Sequence, residues 1–214
     1  MTGTNEVLVR ATRRLEQSRS LDGVRAVYTK LAGAVDGWSG SELLRSGLVG
    51  HAVHPLLTDL PIGFWTAATA LDLRGRPGDR AASRWLVGAG LAASAPTALT
   101  GLAELARVDA PADQRVGALH GSLNGFASTL YLASFVARSR RRHGLGVAAA
   151  LAGAAVTGAS GYLGSHLTLA RKVGSRHPSF AADAVGIPDS ARHGMDGPSP
   201  MGRLDPVEGP GALT

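Results

Sequence analysis

Histidines stand where several of the chain's long apolar runs begin or end. His51 and His54 open GHAVHPLLTDLPIGFWTAATALDL, from Gly50 to Leu73, with Asp59 close behind. His120 and Asn124 lie at the start of a later run, in GALHGSLNG, and His166 lies near the end of the last, in GYLGSHLTLA. Glu104 closes the second run. Imidazoles facing one another from two helices can hold a haem iron axially. Two imidazoles and a carboxylate can instead hold Zn, Fe or another divalent ion. His54, His120 and His166 are therefore candidate haem-binding residues. His51, His54, Asp59, His120 and His166 are candidate metal ligands, with Glu104 and Asn124 as supporting residues. Each also has a plainer reading. A single histidine at such a place serves as an interfacial hydrogen-bonding group, and Asp59 satisfies backbone freed by Pro61. Asn124 is then interhelical glue, worth about 0.6 kcal/mol. Adjacent residues on a helix point apart, so Ser165 and His166 do not form a nucleophile–base pair. No phosphate-cradling loop, zinc-protease helix or nucleic-acid signature occurs.

What positions these residues is a set of four apolar blocks, at about 55–73, 85–103, 116–137 and 144–170. Each is long enough to cross a bilayer as a helix. Pro55 suits a first helical turn, whereas Pro61 lies inside and frees backbone groups that a neighbour must satisfy. The links between blocks are short, so consecutive helices are expected to be antiparallel neighbours. The expected fold is an all-α, up-down four-helix transmembrane bundle. That topology brings the start of span one, the end of span two, the start of span three and the end of span four to one face. It gathers His51, His54, Asp59, Glu104, His120, Asn124 and His166 at a single rim. Ionisable groups inside a membrane are costly unless paired or used, which marks them as site candidates. Gly117, Gly121 and Gly125 form a smooth ridge, and with Gly158, Gly161 and Gly164 they could clear a flat slot for haem.

The flanks differ in character. Residues 1–50 read as an N-terminal helical arm, residues 51–172 as the transmembrane domain, and residues 173–214 as a disordered tail rich in Pro, Gly, Ser and Asp. In the arm Val24, Val27, Tyr28, Leu31, Val35 and Trp38 recur at helical steps, with Asp22 as the expected N-cap. This helix either lies on the membrane with Trp38 as anchor or packs on the end of the bundle. Leu43, Leu44 and Leu48 continue the apolar contact toward the first span. No cysteine occurs, which excludes disulfides, thiolate metal sites and a cysteine-held iron–sulfur cluster. The net charge of +6 comes mostly from Arg around apolar blocks, which fits anionic lipid better than nucleic acid. Residues 1–23 lack the apolar core of a signal peptide, so insertion is expected to rely on the internal helices. No solenoid-type repeat is visible. The turns after spans one and three carry eight arginines (74, 76, 80, 84, 138, 140, 141 and 142). The other face carries six basic residues (45, 107, 115, 171, 172 and 176) and the basic arm as well, so the charge bias selects neither orientation.

The opening motif, the second span with Pro96 and TGLAEL, RVGALHGSLN and GYLGSHL together resemble an uncharacterised bacterial family of four-helix predicted membrane proteins, the domain of unknown function 2231. The resemblance covers roughly Leu44 to Gly174. It implies a multi-pass protein of the bacterial cytoplasmic membrane. In some members a Rieske iron–sulfur domain follows the fourth helix, which implies redox work near His54, His120 and His166 and a redox protein partner. This chain departs from those members: its tail has no cysteine, and it has Gly164-Ser165 where two glycines are usual. The leading expectation is a haem b or metal site used for electron transfer. The second is a cofactor-free membrane scaffold or interaction module, and a metal-dependent intramembrane hydrolase is a third.

Overall fold

The computed structural model describes residues 2–45 and 49–175, and all regular structure among them is helical. Leu48 and the tail beyond 175, expected to be disordered, lie outside the described residues. Six α-helices follow one another: α1 (Thr2–Gln17), α2 (Asp22–Asp36), α3 (Val53–Arg74), α4 (Arg80–Leu105), α5 (Pro111–Ser139) and α6 (His143–Ser165). A π-type turn, His166–Ala170, continues α6. The apolar blocks fall within α3, α4, α5, and α6 with its π turn. Two segments, Pro77–Leu105 and His143–Ala170, are long and apolar enough to cross a membrane, each with a mean hydropathy of 1.4.

Local chemistry explains the helix ends and one interior irregularity. Gly75 stops α3 at φ 71°, a left-handed conformation that suits glycine. Pro111 opens α5, where its missing N–H costs nothing. Pro61 sits inside α3 and cannot donate to the Leu57 carbonyl four residues back. The Thr97 hydroxyl of α4, which also bonds the Ala93 carbonyl of its own helix at 2.9 Å, reaches that carbonyl at 3.2 Å. The neighbouring helix thus offers the freed carbonyl a shared donor, and Asp59 has no part in it. Asp22 likewise takes another role: Leu21 is the N-cap of α2, and no side chain caps that helix.

Helix α3 packs along α4 and α5 along α6, giving two hairpins. Helix α4 lies against α5, with a lighter contact between α3 and α6, so α3 and α5 meet across the middle only through long side chains. The interior combines two apolar clusters, one of Trp65, Ala68, Val87, Tyr131 and Ala150 and one of Val116, Leu163 and Leu167, with buried hydroxyls of Ser83, Ser134, Ser160, Thr97 and Thr100 and the buried Arg138. Other large apolar side chains face outward, among them Leu56, Leu60, Ile62, Trp85, Phe126 and Leu132.

The two hairpins repeat one another. His54, Trp65 and Asp72 of α3 correspond to His120, Tyr131 and Arg138 of α5 at a constant offset of 66 positions. Gly90, Thr97 and Gly101 of α4 correspond to Gly153, Ser160 and Gly164 of α6 at an offset of 63. Each α3 residue meets its α5 counterpart. The His54 and His120 ring centroids are 6.2 Å apart and nearly perpendicular. Trp65 and Tyr131 stack with centroids 3.8 Å apart. Asp72 and Arg138 form an ion pair with Oδ2 2.6 Å from Nη2. Gly90 and Gly153 are equivalent clearances, where an added Cβ would strike Trp65 and would approach Tyr131 to 2.9 Å. Gly90→Ala should cost about 1–3 kcal/mol through overpacking. Gly153→Ala should destabilise in the same direction, while Gly158→Ala, with nothing within 4 Å of its Cβ, should not. Thermal unfolding of the detergent-solubilised variants checks this ordering.

Candidate functional site

The centre of the site is the His54–His120 pair, and the hairpin repeat builds it twice. His54 Nδ1 lies 2.9 Å from the Thr97 carbonyl, and His120 Nδ1 lies 2.8 Å from the Ser160 carbonyl. A carbonyl only accepts, so Nδ1 carries the proton in both rings and Nε2 carries the lone pair. In each hairpin the residue four positions after the acceptor carbonyl is glycine. A Cβ at Gly101 would come within 2.9 Å of the His54 ring, and one at Gly164 within 3.0 Å of the His120 ring. Glycine there lets each imidazole lie flat enough on the partner helix to reach its carbonyl. Hydroxyls add to the cradle: Thr100 Oγ1 is 3.4 Å from His54 Nδ1, and Ser160 Oγ is 2.9 Å from His120 Nδ1. Such Nδ1 anchoring is how proteins fix the tautomer and direction of a ligating histidine. The two Nε2 atoms are not equivalent. His120 Nε2 accepts from Asn124 Nδ2 at 3.1 Å, one turn along α5. His54 Nε2 has no hydrogen-bond partner among the described residues.

The remaining candidates do not join this pair. His51 is exposed and lies against the Ala52 carbonyl. Asp59 is exposed and makes no hydrogen bond or ion pair among the described residues. Glu104 is buried but accepts from the Ser175 N–H and hydroxyl, at 2.7 and 2.6 Å. His166 turns to the arm, where its Nε2 lies 2.8 Å from Glu16 Oε1. Among the described residues no cluster of three or more His, Asp or Glu could hold a metal ion. The glycine ridge is also used differently. Gly121 makes room for the Tyr28 ring of α2 and Gly117 for Leu105, while Gly125, Gly158 and Gly161 face open space.

The arm covers the histidine end. Helix α2 packs on α4 and α5, and α1 on α5, fastened by polar links and by Leu15, which packs against the Val116, Leu163 and Leu167 cluster. Arg115 donates to Asp22 at 2.8 and 3.3 Å and to the Glu16 carbonyl at 3.0 Å. Arg171, paired with Asp113 at 2.6 Å, also reaches Glu16 of α1 at 3.6 Å, and Thr12 meets the Tyr162 hydroxyl at 3.2 Å. Arg45 is buried between Asp36 and Glu42, at 2.8 and 2.6 Å. The apolar stripe divides: Tyr28 turns inward, whereas Val27, Leu31 and Trp38 are exposed. Packing on the bundle and contact with lipid are thus compatible for one helix.

A family model described as a predicted membrane protein (DUF2231) matches residues 50–177. No curated protein and no solved structure matches the chain.

The Arg115 guanidinium beside Asp22 holds that carboxyl below its ordinary pKa of 3.8. A depressed carboxylate contributes its stabilisation above the ordinary value and loses it as pH falls through the folded one. The arm should therefore loosen at a pH below about 4 while the α3–α6 helices persist. Hydrogen exchange of residues 22–36 should show this, and Asp22→Asn should bring the same loosening at neutral pH.

Proposed function

Because the chain belongs to the DUF2231 family of predicted membrane proteins, we propose that α3 to α6 each cross the cytoplasmic membrane as an up-down four-helix bundle. In this reading residues 1–50 are a membrane-facing arm and residues 51–172 the transmembrane domain. The outward apolar side chains of α3 and α5 support the two spans that hydropathy alone does not single out, because lipid rather than water suits Leu56, Leu60, Ile62, Phe126 and Leu132. The buried hydroxyls and ion pair suit helix association in a medium where apolar contact gives little drive.

Within that bundle His54 and His120 would hold haem b, and the protein would pass electrons to or from a redox partner. One observation carries this reading: two imidazoles meet across the bundle middle, each with its Nδ1 proton given to a backbone carbonyl of its own hairpin. Two neutral imidazole nitrogens would suit haem iron, whereas no group of three or more His, Asp or Glu stands ready for a divalent ion among the described residues. The haem would supply one-electron chemistry. The chain's part is to orient the rings through Thr97 and Ser160, to clear them with Gly101 and Gly164, and to keep the arm over that end. Asn124 must release His120 Nε2 for ligation.

The Asn124 bond also favours a second reading, a cofactor-free scaffold or interaction module in which the pair is interhelical packing. Absorption spectra of the detergent-purified protein separate the two. Electron transfer by haem b requires a Soret band that His54→Ala and His120→Ala each abolish, while Asp59→Ala and His166→Ala retain it. A protein without haem bands, even after haem is supplied in excess, would retire the first reading. The second expects His120→Ala to lower thermal stability and to leave the spectrum unchanged.

A further inference from the structure

At the end opposite the histidine pair lies a half-open cavity of about 160 Å³. Its charged lining consists of Asp72, Arg76, Asp79, Arg80 and His143. Both acids are already neutralised. Asp72 accepts from Arg138 Nη1 and Nη2 at 2.9 and 2.6 Å, and from the Ser83 hydroxyl at 2.7 Å. Arg138 is itself buried, and its Nε donates to Ser134 at 3.0 Å. Asp79 accepts from Arg74 at 2.8 and 2.6 Å. Arg76 and Arg80 are exposed, and their guanidiniums make no hydrogen bond among the described residues, although the Arg76 charge helps Arg74 to hold the Asp79 carboxyl below its ordinary value. His143 Nε2 stands 3.7 Å from Asp72 Oδ1, too far for a hydrogen bond. The cavity therefore presents two guanidiniums free of hydrogen bonds and an imidazole over a floor whose charge is cancelled.

The hairpin repeat places these donors on two separate elements. Arg80 opens α4 and His143 opens α6, at the same offset of 63 that relates the rest of the two hairpins. The start of each helix adds partial positive charge to the same opening. Arg76 comes from the turn after α3. Donors from both hairpins thus surround one opening at the level where lipid headgroups lie if α3 to α6 span the membrane. Guanidinium groups match the several acceptor oxygens of a phosphate better than any single-point acceptor.

We propose that this cavity binds a phosphate group through Arg76, Arg80 and His143. The phosphate is either that of an anionic lipid headgroup or a free phosphate ion, and it bridges the two hairpins at the end away from the histidines. Haem is not needed for this site, so it stands or falls separately from electron transfer.

The test uses the full chain in detergent, with native mass spectrometry against phosphatidylglycerol and phosphatidylcholine and ³¹P line broadening with inorganic phosphate. Circular dichroism confirms that each variant is folded. The Arg76→Gln/Arg80→Gln double variant should lose at least about tenfold in affinity, from roughly 1 kcal/mol per arginine near an anionic headgroup. Arg140→Gln/Arg141→Gln, an equal change of charge on the turn after α5, should lose much less. Selective retention of phosphatidylglycerol that inorganic phosphate displaces assigns the lipid headgroup. Broadening by inorganic phosphate with no preference between lipids assigns the free ion. Equal retention of both lipids together with no broadening overturns the site, as does equal loss in the two double variants.

Discussion

Three side-chain pairs along the line where α3 faces α5 hold the arrangement together. Within its own hairpin His54 bonds the Thr97 carbonyl, Trp65 the Val87 carbonyl and Asp72 the Ser83 hydroxyl, at 2.9, 3.3 and 2.7 Å. The second hairpin adds what these bonds leave open: a ring contact from His120, a stacking face from Tyr131 and the countercharge of Arg138. The costs are unequal. A stacked aromatic pair contributes about 0.5–1.5 kcal/mol beyond burial. Removing one partner of a buried ion pair costs about 3–5 kcal/mol, because the other charge is left uncompensated. Asp72 and Arg138, at 3% and 1% side-chain exposure, therefore fix which hairpin faces meet. The histidines, at the far end, are placed by that register.

Small residues make the seam possible. Gly90 and Gly153 admit the stacked rings, and Gly101 and Gly164 admit the imidazoles. Buried serines and threonines then finish the hydrogen bonds that close approach leaves open. Thr97 shows how much one position can carry: its hydroxyl, shared with the Ala93 carbonyl, reaches the carbonyl that Pro61 leaves open, while its own carbonyl anchors His54. A site of this kind is directed by backbone carbonyls, whose position is set by helix register rather than by side-chain rotamers. Its geometry should therefore tolerate changes of side chain better than changes of helix length.

Much of this was legible in the residues, and the parts that were not share a cause. Apolar block length located the four helices, and antiparallel order put His54 and His120 at one end. The proline argument foresaw that a neighbour must serve the freed carbonyl, although it could not choose Thr97 over Asp59. His166 was placed at the right end, but its partner Glu16 belongs to an arm whose path no local pattern encodes. Asp22 was read as a cap and is an ion-pair partner for the same reason. The Trp65–Tyr131 stack and the Asp72–Arg138 pair had a signal that went unread: a histidine followed eleven and eighteen positions later by an aromatic and a charged residue, twice. Dissimilar partners hide that duplication from a search for identical residues.

That dissimilarity has an outcome for assembly. Two copies of the first hairpin would set Asp72 against Asp72, and two copies of the second Arg138 against Arg138, so neither half can dimerise with itself without burying like charges. Only unlike halves fit. Severed in the link between α4 and α5, the chain would yield two fragments that recognise each other and refuse their own kind, a lock and key left over from what symmetry alone would have made interchangeable.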